Sequence, residues 1–305
     1  VLDNGGAEQD PSEWWDAMKS TTRRIFADSA IKPEQVEGIS FCSQAQGLEL
    51  VDRDGEPVHR AFSYMDQRAT KEIKDGLRFG LQIEGANVVR LLTSLAITGA
   101  APLSVKDPLW KYLWLKNNEP ENFARISKIM LPKDYINYIL TGVHCCDYSD
   151  ASGMLLLDVE HKCWSEEMLS ICGVTLAQMP RLYESYQVVG TVTPELSQAL
   201  GLPNTVKVVA GAGDNAAAAV GTGVVGSGGC NISLGTSGTI FISSKEFGVD
   251  PNNALHAFAH ADGGWHLMGC MLSAASCNKW LCDDILKTTD YEAEQKDITP
   301  DKLGN

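Results

Sequence analysis

Residues 206–225 read VKVVAGAGDNAAAAVGTGVV, and this stretch decides the fold. Its first five residues predict a β-strand, residues 211–213 a tight glycine turn, and the segment from Asp214 onward an α-helix. This order places Asp214 at the helix N-terminus. A carboxylate there can cap the helix, bind a metal ion or accept a proton from a substrate hydroxyl.

A second glycine-rich stretch follows at 231–243, NISLGTSGTIFIS. It predicts two strands, Cys230–Leu234 and Thr239–Ser243, joined by a turn. The amides and hydroxyls of such a turn can form a concave anion site, although an ordinary tight turn is the alternative. A phosphate-binding turn near a carboxylate indicates phosphoryl transfer, whereas helix capping alone is the plainer interpretation of Asp214.

Composition limits the partners. The chain has 305 residues, 39 acidic and 25 basic side chains, and a formal charge of −14. An acidic surface disfavours nucleic acid and anionic membranes, and the longest apolar stretches fall short of the roughly 20 residues of a membrane span. Nine cysteines without a Cys-x-x-Cys pair predict free, buried thiols in a cytoplasmic protein. The start of the chain shows no signal-peptide pattern.

The length of the chain suggests about two domains, and the remaining segments predict further helices and strands. Asp10 should cap a helix that begins at Pro11, with Glu13 completing a capping box. The loop 43–47 lies between predicted strands, where it can present side chains to a ligand. Residues 66–200 look mostly helical. Strands are predicted at 36–42, 48–51 and 58–65, and helices at 109–115, 126–140, 164–172 and 273–286.

Several other polar groups fit structural roles better than functional ones. Residues 144–147, His-Cys-Cys-Asp, have no second cluster at zinc spacing and are interpreted as a loop. Lys133 and Asp134 are expected to form a surface pair at a helix start. His256 and His260 lie in a strand-like context in which their spacing does not align them for a metal ion.

Seven stretches resemble the FGGY carbohydrate kinases, and among them the xylulokinase-like members. They keep the family's order along nearly the whole chain, and the family signature around 108–118 also fits except at Lys106. The stretches are EQDPSEWW (8–15), SQAQGLELVDRDGEPVHRAFSYMDQRA (43–69), LPKDYINYILTG (131–142), SDASGMLLLD (149–158), AGAGDNAAAAVGTGV (210–224), LGTSGTIF (234–241) and WHLMGCMLSAAS (265–276).

The resemblance implies an α/β, actin-like and ribonuclease-H-like two-domain fold, with ATP and a sugar in the cleft between the domains. Asp214 matches the catalytic base and a Mg²⁺ contact, directly or through water. The sugar site would comprise Gln44, Ala45, Gln46, Asp66, Arg68 and Asn215, and the ATP phosphates would lie on Gly235, Thr236, Ser237 and Gly238. A homodimer is also compatible with this interpretation.

The chain departs from the family where Gln46 replaces the usual histidine and Ala45 the usual methionine. D-xylulose is therefore the favoured sugar, with ribulose, gluconate, glycerol or a tetritol as alternatives. A non-catalytic actin-like binding module is the alternative from another class. Domains are expected at 1–203 and 204–305. The family's opening Asp-x-Gly-Thr phosphate turn would precede Val1 and its adenosine loop would follow Asn305, so a fragment incomplete at both ends is expected.

Overall fold

The structure, a computed structural model, describes residues 1–77, 80–83, 86–235, 237–252, 254–271 and 273–290. Short strands alternate with helices along the chain. The helices are α1 (Pro11–Asp28), α2 (Thr70–Leu77), α3 (Val88–Thr98), α4 (Pro108–Asn118), α5 (Pro120–Arg125), α6 (Pro132–Thr141), α7 (Tyr148–Ser152), α8 (Glu166–Cys172), α9 (Pro194–Leu200), α10 (Asp214–Gly221) and α11 (Ala275–Trp280). A π-helical turn follows at Leu281–Leu286, and 3₁₀ turns lie at Pro33–Gln35 and Leu176–Gln178.

The strands fall into a mixed N-terminal set and an antiparallel C-terminal sheet. The first set comprises β1 (Glu8–Gln9), β2 (Gly38–Ile39), β3 (Cys42–Ser43), β4 (Glu49–Val51), β5 (Ala61–Phe62), β6 (Gln82–Ile83), β7 (Ala86–Asn87), β8 (Lys128–Met130), β9 (Cys145–Asp147), β10 (Leu157–Asp158), β11 (Cys163–Trp164), β12 (Arg181–Tyr183), β13 (Val188–Thr191), β14 (Lys207–Val209) and β15 (Ala212–Gly213). The C-terminal sheet, in the order β16-β17-β19-β18, contains β16 (Cys230–Leu234), β17 (Gly238–Ser244), β18 (His256–Ala259) and β19 (Trp265–Met271).

Proline and glycine set many helix boundaries. Five helices, α1, α4, α5, α6 and α9, begin with proline, whose missing N–H costs nothing in the first turn. Helices α3, α6, α8 and α9 end at glycines with positive φ. At α1, Asp10 caps the helix as predicted, but its carboxylate accepts from Ser12 N and Ser12 Oγ.

Parallel pairing links distant parts of the chain. Strand β14 lies between β13, which is antiparallel to it, and β2, which is parallel. Strand β15 runs parallel to β3, with Ser43 opposite Gly213. The domain boundary predicted after residue 203 stays a prediction, and the first two strands after it, β14 and β15, pair with strands that precede it.

The core is largest in the first two thirds of the chain. One cluster of buried apolar side chains gathers around β4, α4 and α8 and includes Leu48, Phe62, Leu115 and Leu157. A separate, small cluster joins the alanines of α10 to Phe241 of β17. No helix in the described ranges is long and apolar enough to cross a membrane.

Several sequence predictions need correction. The predicted helix 126–140 is a strand, β8, followed by α6, because Pro132 starts a new helix. Residues 66–200 contain strands between their helices, and the predicted strands 36–42 and 58–65 are shorter. Residues 145–147 form the buried strand β9, not a loop. All nine cysteines are free as predicted, but five of them are exposed.

Candidate active site

The carboxyl ends of β3 and β15 meet at one edge of their two-stranded ladder. Gln44 follows β3 directly and Asp214 follows β15 directly, and the preceding residues, Ser43 and Gly213, are ladder partners. Neighbouring strands lie about 4.8 Å apart. The ladder therefore brings the 44–47 loop, here called the glutamine loop, beside Asp214 although 170 residues of sequence separate them.

Asp214 is the first residue of α10, and its side chain is exposed. Its Oδ1 accepts from the backbone N and from Nδ2 of Asn215, at 2.8 and 3.0 Å. Gly213 occupies the capping position, so Asp214 does not cap the helix from there. Nearby protein atoms exclude part of the solvent around the Asp214 carboxyl and raise its pKa, opposed by hydrogen bonds from the backbone. A raised pKa makes this carboxylate a better proton acceptor than an ordinary aspartate.

A buried group of charges lies under this edge. Lys133 Nζ is 2.5 Å from Asp134 Oδ1, 2.8 Å from Asp147 Oδ1 and 3.7 Å from Asp150 Oδ2, and all four side chains are buried. This Lys133 cluster overturns the expectation of a surface pair. Burial disfavours the ammonium, but the surrounding carboxylates outweigh it and raise the pKa of Lys133 well above its usual value.

The Lys133 cluster holds the strands on which the site is built. Asp147 Oδ2 accepts from Ser149 Oγ and from Ser185 Oγ. Ser149 Oγ in turn accepts from Gly213 N at 3.1 Å, next to Asp214. On the other strand, the backbone N of Lys133 donates to Ser43 Oγ at 3.2 Å. The cluster thus contacts both members of the ladder pair.

Sequence reasoning missed this role, although a signal was present. Lysine and aspartate are almost never fully buried unless they are paired. The sequence KD at 133–134 and Asp150 lie in stretches already singled out for their resemblance, and Asp147 ends the His-Cys-Cys-Asp run at 144–147. Burial strongly raises the pKa of Asp150, with further contributions from neighbouring carboxylates that include Asp214.

The two glutamines of the glutamine loop differ in their contacts. Gln44 Nε2 donates to Gln9 Oε1 at 2.5 Å, and Gln44 Oε1 accepts from Ser63 Oγ and Tyr64 N. Gln46 Nε2 donates to Asp107 Oδ1 at 2.8 Å. Ala45 lies between them and is half-buried. The loop is therefore anchored at both ends, and the predicted sugar contacts stay predictions.

Asp66 and Arg68 form an internal pair. Arg68 Nη2 is 2.8 Å from Asp66 Oδ2, and Arg68 Nη1 is 2.7 Å from Glu8 Oε1. The guanidinium also stacks near Phe62 and Trp114, with ring centroids at 4.9 and 4.4 Å. The structure thus gives both residues partners inside the protein, and their contact with a sugar stays a prediction.

The predicted phosphate turn is a hairpin between β16 and β17. Leu234 pairs with Gly238, and Gly235 N donates to Ser237 O at 2.9 Å. Gly235 O accepts from Ala275 N at the start of α11. Thr236 lies outside the described residues. The hairpin itself is confirmed, and its binding of ATP phosphates stays a prediction.

A Mg²⁺ ion at this edge of the ladder would meet one exposed carboxylate, that of Asp214. In the ranges that the structure describes, no three His, Cys, Asp or Glu side chains converge in a way that could hold a metal ion. Mg²⁺ that arrives with phosphates needs only one or two protein carboxylates, because it keeps several waters. The exposed oxygens of Asp214 fit that requirement.

Comparisons with known proteins agree with this architecture. Residues 2–221 match the N-terminal domain of the FGGY family of carbohydrate kinases. The xylulose kinases of Klebsiella pneumoniae and Escherichia coli are each 38% identical to this chain over 90% of its length, which is 54% of theirs. The chain therefore spans about half the length of the curated relatives that it matches.

Solved structures share the fold. A kinase from Brucella ovis, described as a xyloylose kinase, has a TM-score of 0.81 and 34% identity over 96% of this chain and 58% of its own. Plasmodium falciparum glycerol kinase with ADP has a TM-score of 0.82 at 20% identity, over 97% and 59% of the two chains, which shows the fold alone. The α/β, actin-like fold is thus confirmed, and this chain belongs to the FGGY family of carbohydrate kinases.

Proposed function

We propose that this chain supplies the sugar site and the general base of an ATP-dependent sugar kinase, and that its sugar is D-xylulose, phosphorylated on the 5-hydroxyl. The observation that carries the proposal is the β3–β15 register, which sets the glutamine loop beside Asp214. Relatives described as xylulose kinases favour this sugar. We keep the cytoplasm as the proposed location.

The chemistry follows from the position of Asp214. Its carboxylate accepts the proton of the sugar hydroxyl while that oxygen forms a bond to the γ-phosphorus of ATP. The bond from the γ-phosphorus to the bridging oxygen breaks, and ADP leaves. Mg²⁺ held with the phosphates would neutralise their charge. Because such transfer depends mainly on positioning and charge, the protein's task is to hold base and hydroxyl in line.

Another sugar is the second candidate. Ala45 and Gln46 depart from the pattern expected at the glutamine loop, and a gluconate kinase from Lactobacillus acidophilus has the same fold, with a TM-score of 0.83. Because of these observations, the test should compare several sugars and not D-xylulose alone.

The test uses a full-length form, in which the chain is extended to the length of its relatives. We expect the highest kcat/KM with D-xylulose among D-xylulose, D-ribulose, L-ribulose, gluconate and glycerol, with ATP as donor. Phosphorus NMR of the product identifies the phosphorylated hydroxyl. A higher kcat/KM for another sugar would replace D-xylulose, and no turnover with any sugar would favour a binding module.

A further inference from the structure

The side-chain amide of Gln46 has two ends with different partners. Its Nε2 donates to Asp107 Oδ1 at 2.8 Å, whereas Oε1 has no hydrogen-bond partner among the residues that the structure describes. In its ionised form, Asp107 accepts hydrogen bonds and cannot donate them, so the carboxylate requires the amino end of Gln46 to face it. The carbonyl oxygen of Gln46 is therefore left for another donor.

Asp107 and the backbone of Gln46 are themselves fixed. Asp107 is 4% exposed, and its second oxygen accepts from Ser104 N at 3.3 Å. Lys111 Nζ donates to the carbonyl oxygens of Gln46 and Ser63, at 2.6 and 2.9 Å. Gln46 has a φ of 63°, in the left-handed region that a residue with a side chain seldom adopts. The side chain and main chain of Gln46 are thus both held in one orientation.

Gln44 provides the contrast within the same loop. Its Oε1 already accepts from Ser63 Oγ and Tyr64 N, so this oxygen is used inside the protein. Gln46 is half-buried and lies on the loop that follows β3, beside Asp214. Of the two glutamines, only Gln46 offers its carbonyl oxygen to a ligand.

We propose that Asp107 is a positioning residue for sugar recognition, which orients Gln46 so that Oε1 accepts a hydrogen bond from a sugar hydroxyl. This inference rests on the proposed function. It predicts that the site selects a hydroxyl as a donor. A deoxyfluoro analogue has nearly the same size but cannot donate, so the site should reject it.

The first experiment needs no sugar. Gln46→Glu would put a second carboxylate against Asp107 and should lower Tm, whereas adding Asp107→Asn supplies an amide donor and should restore most of the loss. Additive effects of the two changes on Tm would overturn the positioning contact.

The second experiment measures kcat/KM of the full-length form for D-xylulose and for its 1-, 3- and 4-deoxyfluoro analogues. We expect the wild-type protein to disfavour one analogue about 5- to 100-fold, the cost of one misplaced hydrogen bond. Asp107→Asn lets Gln46 turn its amino group outward, so it should shrink that ratio at least fivefold, chiefly through KM. Gln46→Leu, which removes the oxygen, should shrink it as well.

The controls separate the two proposals. Asp54→Asn, in an exposed turn, should leave the analogue ratios unchanged. Wild-type turnover of D-xylulose with the same ratios in all variants would overturn the role of Asp107. Absence of turnover with D-xylulose would instead reject the proposed function, and with it the sugar contact, while the Tm experiment would still decide the Asp107–Gln46 contact.

Discussion

The two regions that are predicted to form the site, here called its two walls, are built on different principles. The wall that carries Asp214 and the glutamine loop rests on buried ionisable groups, namely the Lys133 cluster and the side chains of Asp107 and Lys111. The wall that carries the 234–238 hairpin has backbone hydrogen bonds and close contacts between small residues, and its Leu234 side chain is 70% exposed. Changes of charge should therefore damage the first wall, and changes of volume the second.

The largest effect is expected from Asp214, on the first wall. Asp214→Asn should reduce kcat of the full-length form by about 10²–10⁴-fold, the usual contribution of a positioned acid–base group. The side chain is exposed, so Tm should stay close to that of the wild type. Steady-state kinetics and thermal unfolding, with Asp54→Asn as the control, measure both. Near-normal turnover would show that Asp214 is not the base.

Removal of the central cation tests the charged wall. Lys133→Met should destabilise the fold by about 3–5 kcal/mol, because it leaves three buried carboxylates without their partner. Lys279→Met removes a lysine that is 70% exposed and should cost no more than about 0.5 kcal/mol. Urea unfolding of each variant gives the comparison. Equal losses in the two variants would contradict a structural role for the buried cluster.

The pH dependence of stability tests the Asp107 side of the same wall. Burial raises the pKa of Asp107 from 3.8 to about 7, against the opposing effects of Ser104, Lys111 and Gln46. The folded protein thus binds this proton more tightly than the unfolded chain. The resulting stability is present below pH 4 and is lost as pH rises through 7.

Lys111 faces Asp107, and burial lowers the pKa of Lys111 to about 7. The other charged groups that act on Lys111 are Asp66, Lys106 and Arg68. Comparison with Asp107→Asn measures the contribution of the aspartate together with its effect on Lys111. The advantage of the wild type over this variant should shrink between pH 4 and pH 7 by about 2–4 kcal/mol, at roughly 1.4 kcal/mol per unit. Urea unfolding at both pH values measures it, and a constant difference would argue against the raised pKa.

The smallest effect is expected at the hairpin. A Cβ on Gly238 would lie 2.9 Å from Ala274 Cβ and 3.3 Å from Met271 Cε. Gly238→Ala should therefore cost about 1–3 kcal/mol. Gly248→Ala adds a methyl group where nothing lies within 4 Å and should change stability by no more than about 0.5 kcal/mol. If thermal unfolding finds the two variants alike, close packing does not hold this wall.

Local signals were enough for the elements that carry the site. The strand, glycine turn and helix around Asp214, the hairpin at 234–238 and the helix starting at Pro11 are all present. Each depends on residues near one another in sequence: glycines that permit a turn, prolines in a first helical turn, or β-branched runs. The prediction of one helix at 126–140 was wrong because the apolar pattern continues through a strand and a proline.

The amino-acid sequence by itself determined the α/β class, the position of Asp214 at a helix start, the hairpin and the family, because these depend on local backbone preferences and ordered motifs. Only the tertiary structure decided that Lys133 is buried among three aspartates, and that Gln46 faces Asp107. The charges in these contacts look like surface residues in sequence. They become buried when β3 and β15, which are distant in the chain, pair with each other and helices pack on them. Sequence alone does not show this pairing.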